Sequence, residues 1–253
     1  MRHTVTSPGG LHRAPSPPDA ILLAIETTGS RCSAAVAYRD AILASESRAQ
    51  RHGHAEMLLP MIERVMAAAG LVPAQLDAVA AAVGPGGFTG IRVGLAAAHA
   101  ITLAVGARLL GVTSFAAVAA RVATADRGDG KTLLVALDSR RDELYVQLFE
   151  AAGAAPLAKA AAVLPNRLAA YIAGHIADAA LLIAGDATAA AATALCGRPG
   201  VTVAADTAPD AIGVSIAARR QWLQGEASVA RPLYLRPPDV TLPPRLPVSG
   251  GAA

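Results

Sequence analysis

Apolar residues along this chain fall into short runs with two different spacings, and the change from one spacing to the other predicts the elements. Residues 21–27 form an apolar run, Gly29-Ser30 a turn, residues 32–38 a second run, and residues 41–47 a third after Arg39-Asp40. Short runs punctuated in this way predict a three-strand antiparallel meander. From residue 55 the spacing becomes helical, with Leu58, Met61, Ile62, Val65, Met66 and Ala69 on one stripe and Gly70 as the stop. Pro60 lies inside that helix and predicts a kink or a loose first turn. Residues 77–83 predict a buried strand, followed by a glycine-rich turn and a long alanine-rich helix. A further helix starts after Thr113 or Ser114 and stops before the loop at 126–130.

At residue 132 the pattern begins again. Residues 132–138 and 144–149 predict two strands around a turn at 139–142. Both hairpins place an acidic residue, Glu26 or Asp138, at the end of a buried strand just before a tight turn. This weak internal repeat predicts two related lobes, residues 20–112 and 113–236, either separate or continuous with each other. The second lobe continues with a helix at 165–174, a strand at 180–184 and the turn Gly185-Asp186-Ala187. An alanine-rich helix and a final helix at 209–224 complete it. Residues 1–19, rich in Pro, Ser and Gly, predict a disordered extension, and the Pro-rich residues 237–253 a flexible tail.

Composition narrows the function classes. Hydrophobic residues make up 53% of the 253 residues and aromatic residues only 3%, while the formal net charge is +3. The arginines are scattered without aromatic interleaving, so the concentrated basic stripe of a direct nucleic-acid binder is missing. Cys32 and Cys196 are far apart and lack metal-site spacing, which predicts free buried thiols in a reducing compartment. The N-terminal segment has no apolar core of a secretion signal. The most apolar stretch, residues 93–105, is too short to span a bilayer and contains His99. These features predict a soluble cytoplasmic protein that does not engage a membrane.

The glycine turn, residues 84–94 (GPGGFTGIRVG), carries the chemical question. Amides crowded at a helix N-terminus attract anions, so a nucleotide site is the first reading. No Lys-Ser/Thr pair follows, and Thr89 stands where a dinucleotide fingerprint needs its third glycine. Thr89 reads instead as a helix N-cap. Beyond it, Gly90, Gly94, Ala97, Ala98 and Ile101 form a small-residue face, which serves equally for packing inside the domain or at a subunit interface. Arg92, in the first helical turn, opposes the helix dipole and so predicts an anionic or carbonyl partner.

Two duplicated lobes with hairpin starts, acidic strand ends and a late Gly-Asp turn resemble the actin-like ATPase superfamily, an α/β fold related to RNase H. Within it the chain is most similar to the bacterial TsaB (YeaZ) family. The matching pieces are ILLAIETT at 21–28, RHGHAEMLLPMI at 51–62, GPGGFTGIRVG at 84–94, ALDSRRDELYV at 136–146, GDA at 185–187 and RPLYLR at 231–236. This resemblance implies a non-catalytic subunit required for threonylcarbamoyladenosine modification of the tRNA adenosine next to the anticodon. It implies binding to the TsaD transferase, joined by the TsaE ATPase, with tRNA met only through the complex and a homodimer when the chain is alone.

The residues themselves argue against an active site. TsaD-like enzymes hold a metal through His-x-x-x-His on a helix, whereas here Leu58 stands four residues after His54. His52 is only two residues from His54 and would diverge from it on a helix, so no metal is expected. The first hairpin turn keeps Thr27, Thr28 and Gly29, but the second reads Asp138-Ser139-Arg140-Arg141, with no glycine to admit phosphate. Arg140 and Arg141 read as exposed turn residues paired with Asp142 or Glu143. Cys32 has no nearby histidine to activate it. Glu26 and Asp138 read as turn hydrogen-bonding groups rather than catalytic carboxylates. With Thr27, Thr28, Gly185 and Asp186 they are remnants of a nucleotide site. No cofactor is expected on the chain alone, although an adenine nucleotide can sit at a complex interface.

The expected partner surface uses His54, Leu58, Leu59 and Ile62 on one helix. From the glycine turn and its helix it takes Gly84, Gly87, Phe88, Thr89, Gly90, Arg92, Val93, Gly94 and Ala97. The competing class is an enzyme, either an independent ATPase or kinase of the superfamily or a glycoprotease-like hydrolase.

Overall fold

Two five-stranded sheets carry the chain, and they share one strand order. The computed structural model describes residues 17–49, 53–122, 130–150, 155–176, 179–205, 207–226 and 229–236. The first sheet contains β1 (Ile21–Glu26), β2 (Arg31–Tyr38), β3 (Ala41–Ala49), β4 (Ala78–Gly84) and β5 (Arg108–Thr113), in the order β3-β2-β1-β4-β5. The second contains β6 (Thr132–Asp138), β7 (Leu144–Phe149), β8 (Ala161–Val163), β9 (Leu181–Ala184) and β10 (Val201–Val203), in the order β8-β7-β6-β9-β10. In each sheet the first strand pairs antiparallel with the second and parallel with the fourth. The repeat seen in two hairpins thus extends to whole sheets, giving the duplicated actin-like α/β fold.

Helices separate and cover these sheets. α1 (His54–Ala68) packs on β2, and α2 (Phe88–Val105) packs on β4. Their buried stripes share one core with Leu23, Ile25, Cys32 and Val36. The opposite face of the first sheet meets α3 (Ser114–Val122) and α6 (Ala211–Leu223) through a core made largely of alanine. Small side chains allow that close approach. A Cβ on Gly213 of α6 would lie 2.8 Å from the Arg121 side chain of α3. α3 also packs Phe115, Val118 and Val122 against the second sheet. The far face of that sheet is covered by α4 (Pro165–Ala173) and α5 (Thr188–Ala194).

Several expectations change in three dimensions. The division at residue 112 does not describe the packing, because α6 belongs to the core of the first sheet and Ala230 is buried there too. β5, β8 and β10 were not anticipated. β5 follows α2 directly and carries Gly111 at its centre, while β8 and β10 have three residues each, too few for a periodicity to register. α1 runs unbroken through Pro60, whose solvent-facing position leaves its lost hydrogen bond at the surface. Pro17–Asp19 form a short helical turn, and Asp19 pairs with Arg39 at 2.8 Å. The rest of the N-terminal extension, His52, and residues 237–253 lie outside the described residues.

Cys32 is buried, and burial pushes its thiol up to about 11, so it is chemically quiet. Cys196 is exposed, contrary to expectation. The stretch at 93–105, expected to be too short to span a bilayer, lies within the helix Phe88–Val105, whose mean hydropathy over 18 residues is 1.5. That helix is therefore long and apolar enough to cross a bilayer by composition, yet one face packs along β4.

Candidate functional site

Four turns meet where the two lobes face each other. β1 ends in Glu26, and its turn carries Thr27, Thr28 and Gly29. Gly84 to Gly87 lead into α2, with a cis peptide between Gly84 and Pro85. From the second lobe come the β6–β7 turn around Arg140 and the turn after β9 that holds Gly185 and Asp186.

The first pair of turns is stitched by hydrogen bonds. Gly87 N donates to Thr28 O at 2.7 Å, and the Thr27 hydroxyl donates to Gly90 O at 2.8 Å. The hydroxyls of Thr28 and Ser114 lie 2.8 Å apart, tying the turn to the start of α3. Glu26 is fully buried, and its Oε1 accepts from Thr28 N. Its Oε2 has no hydrogen-bond partner. Burial is the main cause that pushes this carboxyl from 4.5 up to about 7, against the lowering effect of the Thr28 contacts.

The second pair has an analogous arrangement. Asp186 Oδ1 accepts from Asp138 N at 2.9 Å, and Asp138 Oδ1 accepts from Arg140 N at 2.7 Å. Burial raises the Asp186 carboxyl above its ordinary range. Gly185, at φ +114°, donates its amide to the Thr207 hydroxyl at 2.8 Å. Glu26 and Asp138 each hydrogen-bond the turn that follows their own strand. The lobes touch through Arg140, whose Nη2 donates to Gly29 O at 3.0 Å. That contact corrects the expected pairing of Arg140 with Asp142 or Glu143. Glu143 instead pairs with Arg236 at 2.9 Å.

The glycine turn is used differently from its sequence reading. α2 begins at Phe88 with Gly87 as its cap residue, so Thr89 lies inside the first turn and caps nothing. Arg92 places its guanidinium 3.6 Å from the centre of the Phe88 ring, a cation–π contact in place of the anionic or carbonyl partner expected. Gly90 and Gly94 are buried against the end of β1, where a Cβ on either would collide with Thr27. A Cβ on Gly86 would lie 2.8 Å from Thr28 Cβ, and one on Gly84 would lie 2.8 Å from the Ile91 side chain. These glycines let α2 approach its own sheet.

Several residues expected at a partner surface are therefore interior. His54, Leu58, Ile62, Gly84, Gly90 and Gly94 are buried within this chain. Packing against β1 and β2 uses them up, because a helix stripe that lines a core cannot also face outward. Still exposed are Leu59 at 52%, Phe88 at 45%, and Thr89 and Arg92, with Val93, Ala97 and Gly87 half-buried. Leu103, 89% exposed, joins them and was missed. The only signal for it was a large aliphatic residue off the buried stripe of an alanine-rich helix.

A family model described as TsaD, tRNA N6-adenosine threonylcarbamoyltransferase, matches residues 42–219. The chain belongs to this family. Within it the likeness runs to TsaB. The tRNA threonylcarbamoyladenosine biosynthesis protein TsaB of Haemophilus influenzae is 34% identical over 124 residues, covering 49% of this chain and 51% of that protein. TsaB of Escherichia coli is 30% identical over 125 residues, covering 49% of this chain and 52% of that protein. The aligned part thus spans about half the length of these relatives. The solved structure of YeaZ from Pseudomonas aeruginosa superposes with a TM-score of 0.74 at 27% identity, over 85% of this chain and 100% of that one.

Two features of the chain bear on the chemistry this site can carry. Leu58 is a core side chain one helical turn after His54, so α1 offers no second imidazole there. Among the described residues, no cluster of three or more His, Cys, Asp or Glu side chains could hold a metal ion. In the second hairpin, Arg140 fills the approach to Gly29 and Gly87, with Nη1 3.4 Å from where a Gly87 Cβ would stand. Sequence inspection also missed Ser33 and Asp210, which together seat the N-terminus of α6. Ser33 Oγ accepts from Ala211 N at 2.9 Å, and Asp210 caps Gly213 N at 2.7 Å.

Proposed function

We propose that this chain is a non-catalytic subunit in tRNA threonylcarbamoyladenosine biosynthesis and that it acts by docking onto a TsaD-type transferase. The family match supports the pathway. The observation that carries the docking surface is α2 itself, whose 18 residues have a mean hydropathy of 1.5 while only 33% of them are buried. Eight of the 18 residues are exposed, Phe88 and Leu103 among them, and large apolar side chains left at the surface of a helix mark an interaction site. Leu59 of α1 with Phe88, Val93, Ala97 and Leu103 of α2 supply the contact. The partner's equivalent helix pair would complete a four-helix layer with ridges set into grooves.

The absent second histidine and the arginine in the second hairpin support a supporting role over independent ATPase, kinase or hydrolase activity. A homodimer through the same face, recruitment of TsaE, tRNA contact within the assembled complex, and an adenine nucleotide at the subunit junction belong to the same proposal.

Replacing both Leu59 and Leu103 by arginine tests it. Two desolvated anchors of this kind together account for about 100-fold in affinity. The double variant should lose co-purification with the TsaD-type partner and fail to restore tRNA modification in cells lacking this chain. Its thermal unfolding should match the unsubstituted chain, because both side chains face solvent. Unchanged co-purification would refute the surface. Turnover of ATP or peptide by the isolated chain would refute the non-catalytic reading.

A further inference from the structure

Residues 229–236 cross from one lobe to the other. Ala230 is buried in the core of the first sheet, and Leu233 packs against that core while donating its amide to Val83 O at 2.7 Å. Two residues later, Leu235 packs against the core that α3 shares with the second sheet. Arg236 then pairs with Glu143 of the β6–β7 turn at 2.9 Å. Two glycines make room for this segment. A Cβ on Gly111 would lie 2.8 Å from Ala230 Cα, and one on Gly84 would lie 2.9 Å from Leu233 O. Tyr234 covers part of Phe88, with ring centres 5.4 Å apart.

A second bridge joins the same turn to the first lobe. Arg140 has φ +58°, a left-handed conformation that a non-glycine residue keeps only where its surroundings hold it. The Asp138 carboxylate binds its amide, and Gly29 O accepts from its side chain. The β6–β7 turn is therefore gripped from two directions, by Arg236 through Glu143 and by Gly29 through Arg140.

We propose that residues 229–236 act with Arg140 as an interlobe clamp, fixing the two sheets in one relative orientation. The chain's own C-terminal segment makes the connection that lets this fold serve as a rigid docking body. α3, which packs on both sheets, keeps the lobes together when the clamp is released, so release widens their range of relative orientations without unfolding either.

The test is amide hydrogen exchange on the full chain carrying Arg140→Ala with Arg236→Ala, and on Arg236→Lys, which keeps the charge. Partly exposed pairs of this kind are individually weak, so breaking both should raise exchange about threefold to tenfold. The rise should be confined to residues 27–30, 86–88 and 139–143, with β4 and β6 unchanged and Arg236→Lys close to the parent. Spin labels at Ala67→Cys and Ala190→Cys, in a Cys196→Ser background, should give a broader interlobe distance distribution in the double variant. Unchanged exchange in those turns would overturn the clamp. So would a uniform rise across both sheets, which would mean general destabilisation, or a distance distribution identical to the parent.

Discussion

Gly90→Ala is expected to cost about 3 kcal/mol or more of folding stability, an overpacking penalty against backbone. The added Cβ would collide with the carbonyl oxygen of Thr27, which is held in place. Thr27 Oγ1 donates to Gly90 O, and the neighbouring Thr28 O accepts from Gly87 N. Neither side can retreat without breaking the stitch between the β1 turn and α2. Gly70→Ala is the control. Gly70 has φ +67° but nothing within 4 Å of a new Cβ, so only conformational strain of about 1 kcal/mol applies. Urea unfolding midpoints of the two variants measure the difference. If Gly90 were reserved for a partner helix, alanine there would leave the isolated chain untouched, and the assignment of this glycine to internal packing would fail.

The second large effect is a pH dependence centred on Glu26. Its carboxyl is raised from 4.5 to about 7 in the folded chain, chiefly by burial. Between those values the unfolded chain has released its proton while the folded chain still holds it. Stability from this group is therefore fully present below about pH 4.5 and is lost as pH rises to about 7. The shift corresponds to about 3 kcal/mol. Asp186, also raised by burial, acts in the same direction. Glu26→Gln keeps an acceptor for Thr28 N and removes the ionisation, so its unfolding free energy should be much flatter across this window. Midpoints measured from pH 5 to pH 8 decide it. A parent whose stability rises with pH through this range, or a glutamine variant that falls as steeply as the parent, would contradict the assignment.

Much of the architecture is legible in the sequence. The three-strand meander, the α1 stripe, the strand before the glycine turn and the restart at residue 132 all appear with boundaries close to those expected. Each was long enough for its periodicity to register. The repeat of an acidic strand end before a tight turn also held, and it extended to matching five-stranded sheets. β8 and β10 escaped notice because they have three residues each, and β5, as long as β1, because its apolar residues follow α2 almost without a break.

The candidate site was read less well. The glycine-rich turn correctly drew attention as a place of close backbone approach, but sequence alone could not say what approaches. Small residues fit a partner helix and an adjacent strand end equally, and Thr27 proved to be the neighbour of both Gly90 and Gly94. Arg92 looked like an anion seeker, although Phe88 stands four residues before it on the same helix and that spacing already offered its ring as the partner. Arg140 looked like an ordinary turn residue because its acceptor, Gly29, lies 111 residues away.

The sequence by itself determined the duplicated fold, the family, and that Leu58 stands four residues after His54. These follow from residue type and spacing along the chain. Tertiary structure alone decided that Gly90 and Gly94 pack against their own sheet, that α6 and residues 229–236 return to the first lobe, and that Arg140 bridges the two lobes. These contacts depend on distances between residues far apart in the chain. No local period encodes them.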